Sequence, residues 1–279
     1  MNRFKPVLLP LLIISMSASC TPVCAEDYET DEDYGEYYEE DYDSAYEEPT
    51  ESSTTAPLKK AEDMLEDWEK ELSDEQWEED RWELPSYVSL DMPEIWQLPE
   101  LPTGCEATAM TIAIDYMGFD LDKETFAKKY MRYSVDDMAE GFMGDPFEED
   151  GAGILPPALA DSCNDYLKSQ GSDLQAFETT TYTFGELLAL TAKGYPVVIW
   201  VTTNYEAPEK SSTGSARNGI NYQWYTNEHC VVIQGYNLDT GRIVLSDPGC
   251  GYIGQNLDAV RYLCESIGRY SVAISGASG

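Results

Sequence analysis

The chain has 279 residues, with 53 Asp and Glu against 17 Lys and Arg, a formal net charge of −36 at neutral pH. An acid excess of this size repels phosphate and anionic lipid, which excludes nucleic acid and favours cationic partners such as basic peptides. The length suits one large domain or two small ones.

Residues 1–25 have the layout of an export signal. A basic start, MNRFK, precedes PVLLPLLIISMSA, an apolar run too short to span a bilayer, and small residues follow up to Ala25. The expected location is secreted or cell-surface. Ser17-Ala18-Ser19 before Cys20 lacks the Leu of a lipid-anchor motif, so cleavage after Ala25 is preferred to an anchor at Cys20. No later stretch is long and apolar enough for a membrane-spanning helix.

Residues 26–56 are acidic and rich in Tyr, and from Glu26 to Glu51 they contain no Lys or Arg. Such a segment buries too little apolar surface to offset its chain entropy and reads as a disordered spacer. In residues 57–83, Leu58, Ala61, Leu65, Trp68 and Leu72 alternate steps of three and four, the stripe of an amphipathic helix. That face needs a partner: the main domain, a second copy, or a cleft that the segment covers as a pro-segment would.

Residues 84–279 read as one globular domain. The pattern predicts helices over 103–117, 122–131, 156–169 and 183–193, with GFMGDPFEEDGAG as a loop between the second and third. Strands follow at 196–202, 229–236 and 242–247, then a loop with a short helix around 256–264 and a last strand near 269–274. Helices first and strands second indicate an α+β fold. Asp145, in the loop, is either a cleft-lining acid or a turn former.

Thr103-Gly104-Cys105-Glu106 has the spacing of a capping box, as does Thr183-Phe184-Gly185-Glu186. Glu106 is then a cap rather than an acid catalyst. The cap puts Cys105 in the first helical turn, where unpaired amides and the macrodipole favour a thiolate. Seven cysteines occur; with Cys20 and Cys24 in the signal, the remaining Cys105, Cys163, Cys230, Cys250 and Cys264 are odd in number, which suggests one unpaired thiol.

His229 is the sole histidine, at the start of the strand pattern EHCVVIQGY. NLDTG supplies turn chemistry, and RIVLSDPG returns to Asp247. Antiparallel pairing brings His229 and Asp247 to one end of the ladder, and an even register puts them on one face. Cys105, His229 and Asp247 then supply nucleophile, base and orienting acid. Gln97, in WQLPELPTGC, is a candidate oxyanion donor beside the Cys105 amide, or an ordinary loop residue.

QLPELPTGCEATAMTIAIDYMGFD, GDPF, GYPVVIWVTTN, EHCVVIQGYN and SDPGCG, in that order, resemble the peptidase family C-39-like proteins. These are relatives of papain-like cysteine peptidases and of the bacteriocin-leader, double-glycine peptidases. The resemblance runs from Gln97 to the C-terminus. It implies a papain-like α+β domain in which the cysteine helix packs on an antiparallel sheet that carries the histidine. It also implies Cys105 as nucleophile, His229 as base, Asp247 as acid and Gln97 in the oxyanion hole, with a peptide or protein substrate and no cofactor or metal. Transglutaminase-like acyl transfer uses the same three residue types in the same order, and a non-catalytic surface module with this fold is the third reading. Cell-wall endopeptidases that need two histidines are disfavoured.

Overall fold

Seven strands, six of them from the second half of the chain, build the main sheet. The computed structural model describes residues 75–276, so the expected signal at 1–25, the expected spacer at 26–56 and the Leu58–Leu72 stripe lie outside the described residues. The elements run α1 (Glu75–Trp82), β1 (Tyr87–Ser89), α2 (Cys105–Tyr116), α3 (Lys123–Lys129), β2 (Tyr133–Ser134), β3 (Phe142–Met143), α4 (Pro156–Ser169), β4 (Leu174–Glu178), α5 (Phe184–Ala192) and β5 (Val197–Thr202). Then come β6 (Lys210–Arg217), β7 (Ile220–Tyr225), β8 (Glu228–Asn237), β9 (Arg242–Asp247), β10 (Gly251–Asn256), α6 (Leu257–Ser266) and β11 (Ser271–Gly276). The main sheet has the order β10-β9-β8-β5-β11-β4, with β1 added against β8. Every pairing within it is antiparallel.

β5 is buried along its whole length because both faces of the sheet are covered. Side chains alternate across a strand, and the two cores divide accordingly. Val198, Trp200, Cys230, Val232, Val272 and Ile274 face one core, which also holds Cys105 and the apolar side of α2. Val197, Ile199, Val201, Val231, Ile233 and Ala273 face the other, with Phe184, Leu187, Val260 and Leu263. On the first face α2 packs on β8, and α4 packs on β4 and β11. On the second, α5 packs on β8 and α6 on β5. The result is a sheet between two helical layers, and the fold is the papain-like α+β class.

Local chemistry explains where most helices begin. Asp122 caps α3 by accepting the Thr125 N–H at 2.8 Å, and Asn256 caps α6 by accepting the Ala259 N–H at 3.0 Å. Pro156 and Pro157 open α4, where a missing N–H costs nothing. Thr183 and Glu186 form the reciprocal capping box that their spacing predicts. At the end of the 57–83 segment, Trp77 of α1 stacks edge-on against Phe184 of α5 at 6.1 Å between ring centroids.

The four predicted helices and the principal strands occur within a few residues of their expected bounds. The strict order of helices then strands does not hold: β1, β2, β3 and β4 lie among the helices. The loop over 141–153 contains β3. The β6–β7 hairpin has no apolar alternation in KSSTGSAR, so its pattern is silent. Its turn is Asn218-Gly219, both at positive φ (54° and 81°), the geometry of the tightest hairpin turns.

Candidate active site

α2 begins at Cys105 with Gly104 as its N-cap, and no side chain caps it. The capping box expected at Thr103 and Glu106 is therefore absent. The Thr103 hydroxyl instead donates to the Glu148 carbonyl at 3.0 Å, across 45 residues, and so ties the 141–153 loop to the helix start. Glu106 turns inward. Its side chain is fully buried, Oε1 accepts the Ile154 N–H at 2.9 Å, and Oε2 accepts the Cys105 thiol at 3.3 Å.

Cys105 is 8% exposed. Burial pushes its thiol well above the usual range, and the neighbouring acids, Glu106 before Glu228, add to the rise; a backbone hydrogen bond from Cys230 opposes it. The helix start alone favours a thiolate, but here desolvation and the Glu106 carboxylate outweigh it, and the thiol donates to Glu106. Cys163, Cys230 and Cys264 are also free and buried. The odd cysteine count thus does not single out one thiol.

His229 is the second residue of β8, and Asp247 ends β9. Val232 pairs with Ser246, which gives Asp247 and His229 the same parity and hence the same face. The register shift in this pair lies between Ile233 and Gly235, beyond the site. His229 Nε2 and Asp247 Oδ1 are 2.8 Å apart. Asp247 is 3% exposed, and it also accepts the Gly249 N–H on Oδ1 at 2.8 Å and the Tyr205 hydroxyl on Oδ2 at 3.1 Å. Burial works against its charge, yet His229 and these two donors hold its carboxyl below the usual range. For His229, burial disfavours the imidazolium, but the Asp247 charge and hydrogen bond, with Glu106 behind them, raise its proton affinity overall. An ionised Asp247 only accepts, so Nε2 carries the proton and Nδ1 is left as the base.

Gln97 is buried next to the Asp247 turn. Its backbone N–H donates to the Pro248 carbonyl at 2.8 Å, immediately after Asp247, and its side-chain amide donates to the Pro102 carbonyl at 2.9 Å. Lys123 Nζ binds the Gln97 carbonyl at 3.0 Å. One of the two side-chain hydrogens is committed to Pro102. Asp145 serves the loop: its carboxylate accepts the Phe147 N–H at 3.0 Å, the turn-forming role.

The structure brings His229 and Asp247 into direct contact and anchors Gln97 beside them. It joins Cys105 to β8 through the Cys230 backbone, while the thiol proton points to Glu106 rather than to the imidazole. Glu228 was not anticipated from the sequence. It starts β8 on the α2 side of the sheet, and one oxygen each of Glu106 and Glu228 lies with Cys105 Sγ in a group spanning no more than 4.8 Å. Among the described residues these three are the donors close enough together to hold an ion. The available signal was an acid beside each of Cys105 and His229 in otherwise apolar blocks. An open cavity of about 690 Å³, lined by Tyr133, Ser134, Val135 and Gly144, adjoins the 141–153 loop.

A family model for Peptidase_C39 like proteins matches residues 89–262, which include Cys105, Gln97, His229 and Asp247. The chain belongs to the Peptidase_C39 like family. A curated relative, the uncharacterized protein YvpB of Bacillus subtilis (strain 168), is 28% identical over 171 residues, 59% of this chain and 65% of that one. The match thus spans somewhat under two thirds of that relative's length. A crystal structure from Bacillus anthracis, assigned as a C39-like peptidase, is 26% identical and covers 70% of this chain and 100% of its own, with a TM-score of 0.59. Among the described residues no helix is long and apolar enough to cross a membrane.

Proposed function

We propose that the protein is an exported cysteine peptidase that hydrolyses amide bonds in peptides through Cys105, His229 and Asp247. The observation that carries this reading is the part-buried 2.8 Å contact between His229 Nε2 and Asp247 Oδ1, on a strand against which the cysteine helix packs. That contact fixes the tautomer in which Nδ1 can accept a proton. In the reaction the Cys105 thiol gives its proton to Nδ1 as sulfur bonds to the substrate carbonyl carbon. The C–N bond then breaks and the amine leaves with that proton. Water, deprotonated by the same Nδ1, releases the acid from the thioester. The Cys105 N–H and the uncommitted side-chain hydrogen of Gln97 are the donors for the oxyanion. Export rests on the basic, apolar and small-residue layout of residues 1–25, and a preference for basic peptides rests on the net charge of −36.

The test is a peptide library in reducing buffer, with products read by mass spectrometry. Hydrolysis by the wild type that falls at least about 10³-fold in both Cys105→Ala and His229→Ala is expected. Hydrolysis indifferent to Cys105→Ala, or none by the folded wild type, overturns the proposal.

A further inference from the structure

Two carboxyl groups meet beneath the cysteine. Glu106 occupies the second position of α2, and Glu228 the first of β8. Both press on Gly153, whose φ is +144°: a Cβ there would lie 2.6 Å from Glu228 Oε1 and 2.9 Å from Glu106 Oε1. Only glycine leaves room for both acids. Glu228 Oε2 is buried with no hydrogen-bond partner among the described residues. The titratable groups facing the pair are Cys105 from α2 and His229 and Cys230 from β8; the 141–153 loop and its continuation contribute the Ile154 N–H. Among the described residues, no Lys or Arg side chain neutralises either acid.

Two ionised carboxylates cannot share so small a dry space without a proton between them. The surroundings are unequal. Glu106 accepts from Ile154, from its own helix-start amide and from the thiol, whereas Glu228 has burial and the Glu106 charge against it. The proton therefore resides on Glu228, which donates it to Glu106.

We infer that Glu106 and Glu228 are positioning residues for the nucleophile: a one-proton pair whose Glu106 carboxylate holds the Cys105 thiol protonated until His229 Nδ1 draws that proton away. The charge on Glu106 repels a thiolate, and its Oε2 gives the S–H a place to donate. Substrate entry that turns the sulfur from Glu106 toward His229 would release the hold. This deepens the peptidase reading and rests on Cys105 being its nucleophile, but the pair is measurable without any substrate.

The experiment is iodoacetamide alkylation of Cys105, followed by peptide mapping across pH, on wild type, Glu106→Gln and Glu228→Gln. In Glu106→Gln the introduced amide keeps an oxygen for the Ile154 N–H and removes the charge. The reactivity profile of that variant should move to lower pH, with alkylation at neutral pH faster by about tenfold or more, one unit of like-charge shift. In Glu228→Gln the introduced amide still donates to Glu106. That variant should keep the wild-type profile while losing an infrared carbonyl band of a neutral carboxylic acid that the wild type shows at neutral pH. A cooperative unfolding transition in each variant excludes exposure by unfolding as the cause. No acceleration in folded Glu106→Gln, or no neutral-acid band that Glu228→Gln removes, overturns the inference. A wild type that hydrolyses no peptide yet shows both signatures would overturn the peptidase reading and leave the pair intact.

Discussion

Replacing Asp247 with Asn separates its two contributions, charge and geometry, because its hydrogen bonds divide between its oxygens. His229 and Gly249 both donate to Oδ1, and Tyr205 donates to Oδ2. Asn fits this arrangement with its carbonyl toward His229 and Gly249 and its amide toward the Tyr205 oxygen, once the hydroxyl rotates. The ring then keeps its orientation and its Nε2–H tautomer, and only the charge is lost. A charge-assisted hydrogen bond contributes about 1.5–3 kcal/mol against about 0.5–1.5 for a neutral one. The difference, about 1–1.5 kcal/mol, lowers the proton affinity of the ring by roughly tenfold. His229 is the only histidine, so its imidazole resonances titrate without interference in an NMR experiment. The expected result is a titration shifted to lower pH, with kcat/KM reduced by roughly 10–100-fold. A variant forced into the wrong tautomer would instead lose about 10⁴-fold. The stability effect has a definite sign. The raised proton affinity of His229 contributes stability that is complete below its unfolded value of about 6.5 and is lost as pH rises through the higher folded one. The depressed Asp247 contributes above its unfolded value of about 3.9 and loses that contribution as pH falls through the lower folded one. The wild type should therefore exceed the variant in stability most between about pH 4 and 6.5. An unchanged His229 titration, or a loss near 10⁴-fold, would refute this account of the pair.

Gly153→Ala should destabilise the protein by about 2–3 kcal/mol in chemical denaturation, because a Cβ both strains a φ of +144° and collides with two buried carboxyls; a change under about 0.5 kcal/mol would mean the two acids move apart freely. Cleavage of Lys- and Arg-bearing peptides should be favoured over neutral ones at low salt and lose that advantage as the screening length falls from about 10 Å at 0.1 M to 3 Å at 1 M. A preference that ignores salt would remove the protein's field as its cause.

The two Thr-x-x-Glu sequences show what a local pattern can and cannot reveal. Thr183 and Glu186 make the box because the Thr183 hydroxyl gives its proton to Asp80 Oδ2 at 2.6 Å and keeps its oxygen free to accept the Glu186 N–H. Thr103 and Glu106 have identical spacing, but the Glu148 carbonyl claims the first and the core claims the second. Those partners are 45 and 48 residues away, beyond the reach of any spacing rule. The His229–Asp247 contact was legible for the opposite reason: its 18-residue separation is a single hairpin, where strand parity alone decides which side chains share a face. Gln97 lay between these cases, legible as a loop residue near the cysteine but not as one pinned by Pro248 and Lys123. The same distinction governs the chemistry of the thiol. A helix start viewed alone stabilises negative charge, and that inference is sound for the backbone it considers. What reverses it is burial beneath the sheet together with the Glu106 charge, which Glu228, brought from the far half of the chain, leaves in place by holding the shared proton itself. A cysteine that its own helix start would activate is thus restrained by burial against the completed sheet and by the acid next to it in the chain, so its reactivity depends on the packing of β8 against α2.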